Sequence, residues 1–237
     1  MALSEMHVID PDGDTLLILR DAGAPFAACL TEEEWPNKLP QHQSSNSKQN
    51  EASVISTETL KESDSGLSDV SLSPQAKPEP KHIRFKLSSQ HLRLSSAFFR
   101  KLICGDWKEK ESEPGFKWTI TATDWDPDAL LILMNILHLQ TRAVPRTLAF
   151  EMLAKVAVLV DYYDCCQAVE PWAEVWISNL TLEVPDYYSR VLLLRLTVAW
   201  VFSEHEKFRI LTEVIIRRSR GPIHTMGLPI PQTIVGE

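Results

Sequence analysis

Between His82 and Leu87 the chain alternates. Ile83, Phe85 and Leu87 fall on one side of an extended segment, and His82, Arg84 and Lys86 on the other. A period of two belongs to a strand with one buried face. The period then lengthens: Phe98, Phe99, Leu102 and Ile103 recur at helical spacing. Ser95 or Ser96 stands where an N-cap would, and Gly105 offers a helix end that can turn left-handed without strain. The stretch HIRFKLSSQHLRLSSAFFRKLICGDW therefore predicts a half-buried strand, a short helical link and an amphipathic helix that stops on Gly-Asp-Trp. Burying Phe98 and Phe99 together contributes about 3–6 kcal/mol before entropy is counted.

Other elements are predicted to pack on this unit. Met6–Ile9 is short and mildly apolar, and Pro11-Asp12-Gly13 after it is a turn signature. A calcium loop would need its glycine elsewhere and a closing Glu. Thr15–Leu19 is a near-continuous apolar run, the pattern of a strand covered on both faces. Trp118, Ile120 and Ala122 alternate with threonines as a third strand. Asp126 at an N-cap, Pro127 at the first helical position and Asp128 open a helix carrying Leu130, Leu131, Leu133, Met134 and Leu137. Thr147 is placed to cap the next helix, with Ala149, Met152, Leu153, Val156, Ala157 and Val160 at spacings of three and four. Asp164-Cys165-Cys166-Gln167 has the form of a loose capping box before the stripe Val169, Trp172, Ala173, Trp176, Ile177 and Leu180. Pro171 lies inside that stripe; either the helix kinks there or it begins anew.

The tail reads as helical too. Asp186 can cap a helix toward Phe202, and Ser203-Glu204-His205-Glu206 is a capping box for the next one. Phe208, Leu211 and Ile215 would face inward from it. Arg217, Arg218 and Arg220 sit where a helix C-terminus favours positive charge, or where they could meet an acidic partner. Gly221-Pro222 ends the helix, and LPIPQTIVGE reads as extended.

Between the first two strands the character changes. The interval 22–81 is rich in Ser, Gln, Glu and Lys and reads as a disordered insertion, unable to bury enough surface to offset ordering. Lengthening a turn from about four residues to about sixty costs only about 2.4 kcal/mol. Ser73-Pro74 and the serines near Asp64-Ser65-Gly66 are candidate phosphorylation positions; the plainer reading is a passive solvated loop. The chain thus divides into an N-terminal strand region (1–21), the insertion (22–81), a core (82–180) and a C-terminal helical extension with an extended tail (181–237). The fold class is α+β: a small three-stranded sheet packed with five or more helices.

Composition narrows the function. The 237 residues are 44% hydrophobic and carry a formal net charge of −8. That balance argues against a phosphate-backbone binder, so no nucleic acid partner is expected. The longest apolar run, Val191–Phe202, contains Arg195 and is too short to span a bilayer. MALSEMHVIDPDGD has neither the basic region nor the apolar core of a signal peptide. The expected location is the cytoplasm or nucleus. Cys29, Cys104, Cys165 and Cys166 have neither zinc spacing nor disulfide density. Cys165 and Cys166 read as small packed residues rather than a redox pair. The seven histidines form no ligand pair at helical spacing, and His91 and His138 read as packed side chains. Neither a nucleophile elbow, a phosphate loop nor a metalloprotease motif is present. No catalytic, cofactor-binding or metal-binding residue is assigned, and no cofactor is expected.

The order strand, long loop, strand, helix pair, strand, three helices and further helices resembles the BTB/POZ fold. The residues that carry the resemblance are Asp14, Leu17 and Leu19, then Phe85, Leu92, Ser96, Phe98, Phe99, Leu102, Gly105 and Trp107. The chain looks most like BTB proteins of filamentous fungi, which show stretches similar to VDYYDC and GPI…LPIP. Two positions depart from animal members: Ser88 stands where they carry His, and His138 where many carry Tyr. The resemblance implies a non-enzymatic protein–protein interaction module, a homodimerising adaptor or scaffold that self-associates through its first helical region and an N-terminal strand. The alternative it implies is a substrate-recruiting adaptor for a cullin-type ubiquitin ligase, whose contact pattern does not map residue by residue onto this chain.

Overall fold

A computed structural model describes residues 6–28, 82–105, 113–180, 185–219 and 221–235. These all belong to one compact unit, Met1–Asn37 with Pro80–Glu237. The disorder and phosphorylation expected within 29–81, and the placements of Trp107 and Arg220, lie outside the described residues.

The alternating segments form strands. β1 (Met6–Val8), β2 (Thr15–Arg20), β3 (Ile83–Leu87) and β4 (Trp118–Thr123) make one sheet in the order β1-β3-β2-β4. β2 pairs antiparallel with β3 and parallel with β4, and β1 pairs parallel with β3. The sheet has four strands where three were expected. Three residues are too few for a period of two to show, so β1 exists by pairing rather than by pattern. β2 is buried from Thr15 to Leu19, and β3 buries Ile83, Phe85 and Leu87, as the patterns predict.

Helices cover the inner face. α1 (Ser89–Ser95), α2 (Ala97–Cys104), α3 (Pro127–Leu137), α4 (Phe150–Tyr162) and α5 (Cys166–Asn179) follow the strands, and α6 (Arg190–Val201), α7 (His205–Arg218) and the single turn α8 (Gln232–Val235) complete the described chain. Leu17, Phe85, Phe99, Leu130, Leu133 and Met134 share one core. Phe99 is fully buried and stacks on Tyr163 at 4.8 Å.

Some caps form as predicted. The Ser96 hydroxyl accepts from the Phe99 amide at 3.1 Å and donates to the Tyr163 carbonyl at 2.6 Å. Asp126 accepts from the Asp128 and Ala129 amides. Others do not. Gly105 is extended (φ −76°), so α2 ends without a left-handed residue. α4 begins at Phe150 behind Ala149, not at Thr147. Asp164 adopts φ +48° and gives its carbonyl to the Ala97 amide, so no capping box opens α5 and Cys165 takes the cap position. α5 runs unbroken through Pro171. Ser189, three residues after Asp186, caps α6 by accepting from the Leu192 amide. Ser203 is left-handed (φ +55°), so the second capping box is absent and Glu204 pairs with Lys207 at 2.9 Å. The tail is not purely extended: Leu228 and Ile230 are buried, and α8 follows.

The packed body also reaches past Asp21, into residues the sequence assigned to the insertion. Ala27 is buried, and Arg190 donates to the Phe26 and Ala27 carbonyls at 3.1 and 3.0 Å while pairing with Glu151 at 2.9 Å. Arg190 holds the Glu151 carboxyl below its usual range. The chain is thereby fastened to α4 and α6 just before residue 29. Gly13 closes the β1–β2 turn, where any side chain would collide with the Leu87 carbonyl.

Phe99→Ala is expected to lower unfolding free energy by about 3–5 kcal/mol in urea titration, through lost burial and the cavity left behind. Leu94→Ala, at a site 81% exposed, is expected to change it by less than about 0.5 kcal/mol.

Candidate interaction surface

The turn from β3 into α1 sets the geometry of one corner of the molecule. The first amides of any helix lack partners within it. The Ser88 side chain makes no capping bond here, and groups remote in sequence take that role. The Asp14 carboxylate, at the entry to β2, accepts from the Ser89 amide at 2.8 Å and from the Ser89 hydroxyl at 2.7 Å. Burial alone would raise the Asp14 carboxyl; the Ser89 bonds outweigh it and hold the carboxyl below its usual value.

His138, at the end of α3, supplies the second partner. The Ser88 amide donates to its Nε2 at 2.9 Å, and its Nδ1 lies 2.8 Å from the Met134 carbonyl. An amide N–H can only donate, so Nε2 is the acceptor and Nδ1 carries the proton. The ring is therefore neutral, in keeping with burial pushing it below the usual histidine value. Ser88 and His138, remote in sequence, are thus bonded to each other. His138 also stacks on His91 of α1 at 5.3 Å.

Gln140 extends the corner to β1 by donating to the Ile9 carbonyl at 3.1 Å. β1 lies at the edge of the sheet. Its His7 turns inward and stacks on Phe85 at 5.1 Å. Met6 and Val8 turn outward in register with Arg84 and Lys86, and both are exposed. Arg84 pairs with Glu113 on that outer face. Leu94 of α1 and Leu139 after α3 are 81% and 74% exposed. The corner therefore joins an edge strand, a short helix and a turn, each presenting a large apolar side chain to water.

A second exposed group is aromatic. Tyr162 is 52% exposed and packs against Phe98 and Trp125 at 5.4 and 5.1 Å.

The chemistry available elsewhere is modest. Burial pushes the Cys165 thiol up to about 12, and the Cys166 thiol is raised as well, so both stay protonated near neutral pH. A cavity of about 220 Å³ lies between Phe26, Trp125, Lys155 and Met226, with Lys155 bonded to Asp126 at 2.7 Å. Another of about 150 Å³ is lined by Phe150, Ile177, Val198 and Leu211. Among the described residues, no three His, Cys, Asp or Glu side chains converge as metal ligands, and no helix is long and apolar enough to cross a membrane.

The sequence offered no site residue to place; the resemblance implied the first helical region and an N-terminal strand as a contact, but Leu94 and Leu139 were not singled out. Leu94 carries the usable signal: it stands apart from the buried face of α1 marked by Leu92. Leu139 lies past the α3 stripe at φ +59°. No family model matches the chain, and no curated protein sequence matches it at a significant level.

Asp14→Ala leaves the Ser89 amide and hydroxyl without their partner and is expected to lower stability by about 1–3 kcal/mol. Because the folded state depresses this carboxyl, its contribution is present above the ordinary value of 3.8 and fades as pH falls below it. Urea titrations of wild type and variant should therefore converge as pH falls through the lowered value of the folded carboxyl.

Proposed function

We propose that this chain is a non-enzymatic interaction module of the BTB/POZ kind, which forms homodimers through the β1 edge and α1 and serves as an adaptor or scaffold. The single observation that carries the reading is the exposed corner, where edge strand β1 turns Met6 and Val8 outward and α1 presents Leu94. An edge strand offers backbone groups to a second strand, and an apolar rim beside it gains by leaving water. Two copies related by a two-fold axis would bring the same corner together from both sides. The element order adds support: β2, β3, the pair α1–α2, β4 and then α3, α4 and α5 follow the sequence of elements that the resemblance implies.

Light scattering at micromolar concentration is expected to give twice the chain mass. Val8→Glu and Leu94→Asp should each weaken self-association at least about tenfold while leaving the melting temperature of the monomer nearly unchanged. A wild-type chain that stays monomeric at every accessible concentration would overturn the reading.

A further inference from the structure

We propose that His138 is an acid-operated latch on the N-terminal end of α1. The geometry allows only one proton arrangement at neutral pH. Nδ1–H donates to the Met134 carbonyl, and the Nε2 lone pair receives the Ser88 amide. A proton taken from water at Nε2 occupies that lone pair. Two N–H groups then face each other across 2.9 Å, and the bond to Ser88 is lost while the bond to Met134 remains.

The surroundings make the exchange consequential. His138 is only 5% exposed, so the new charge has little access to water. The titratable groups that face the ring are His91, stacked on it from α1, and Asp10, from the turn between β1 and β2. A protonated His91 opposes the charge, and Asp10 favours it. Burial dominates and disfavours the charged ring. The latch is thus closed above the ordinary histidine value of 6.5 and opens as pH falls through the lower value of the folded ring. Asp14 keeps its hold on Ser89 until pH approaches the carboxylate range.

The latch stands on geometry alone, but its consequence rests on the self-association reading. α1 carries Leu94 at the proposed contact face, so loosening its first turn would weaken dimerisation in mild acid.

Two measurements on the full chain separate these claims. In the first, NMR follows the His138 ring titration together with the Ser88 amide protection factor. Protection at Ser88 is expected to fall about tenfold, the scale of one hydrogen bond, with the midpoint of the ring titration, while the core amides of Leu17 and Phe99 keep theirs. The latch is overturned by a Ser88 amide that stays protected through that titration, or by one lost together with the core. His138→Gln, whose side-chain oxygen can accept from Ser88 but takes up no proton, should remove the pH dependence; an unchanged loss in a folded variant also overturns the latch. In the second, light scattering follows mass across the same pH range. A monomer at every pH overturns the self-association reading, and the Ser88 amide still decides the latch.

Discussion

One strand bears the constraints on which the fold depends. β2 is hydrogen-bonded along both edges and buried on both faces. Its register sets the inner rows of the sheet: Phe85, Leu17 and Ile120 lie abreast, as do Ile83, Leu19 and Ala122. A slip of one residue would turn Leu17 and Leu19 away from the helices and bring Leu16 and Ile18 in their place. What fixes the register is polar. The Asp14 carbonyl accepts from the Lys117 and Trp118 amides, while its carboxylate holds Ser89. One residue thus aligns β4 and α1 against the same end of β2.

Much of this was legible in the sequence because the signals are local. Ile83–Leu87 and Trp118–Ala122 alternate, Asp126-Pro127-Asp128 is a strong helix start, and Ser96 is followed by two phenylalanines at the right distance. The failures share a cause. Asp164 and Ser203 were read as caps, yet both adopt left-handed backbone because the chain must reverse between packed helices. Arg190 reaches across to Phe26 and Ala27 over more than 160 positions, and no local pattern announces that bond. β1 has no pattern of its own and depends on β3. The corner beside it has no local pattern either, although the resemblance implied two of its parts: it is assembled from β1, α1 and the end of α3, and only tertiary contacts bring these together.

That corner also explains how a seven-residue helix is held. α1 has no side-chain cap of its own and receives its partners from Asp14 and His138. Short helices are marginal without tertiary support. Here the support consists of two titratable side chains. The Ser88–His138 bond ties the start of α1 to the end of α3.

The most direct measurement on the central claim is amide exchange as a function of protein concentration at neutral pH. If the β1 edge and α1 form the contact between copies, raising the concentration should slow exchange at Met6–Val8 and around Leu94, with the amides of α6 and α7 unaffected. Exchange at β1 and α1 that is independent of concentration, or protection that grows instead over α6 and α7, would contradict the account.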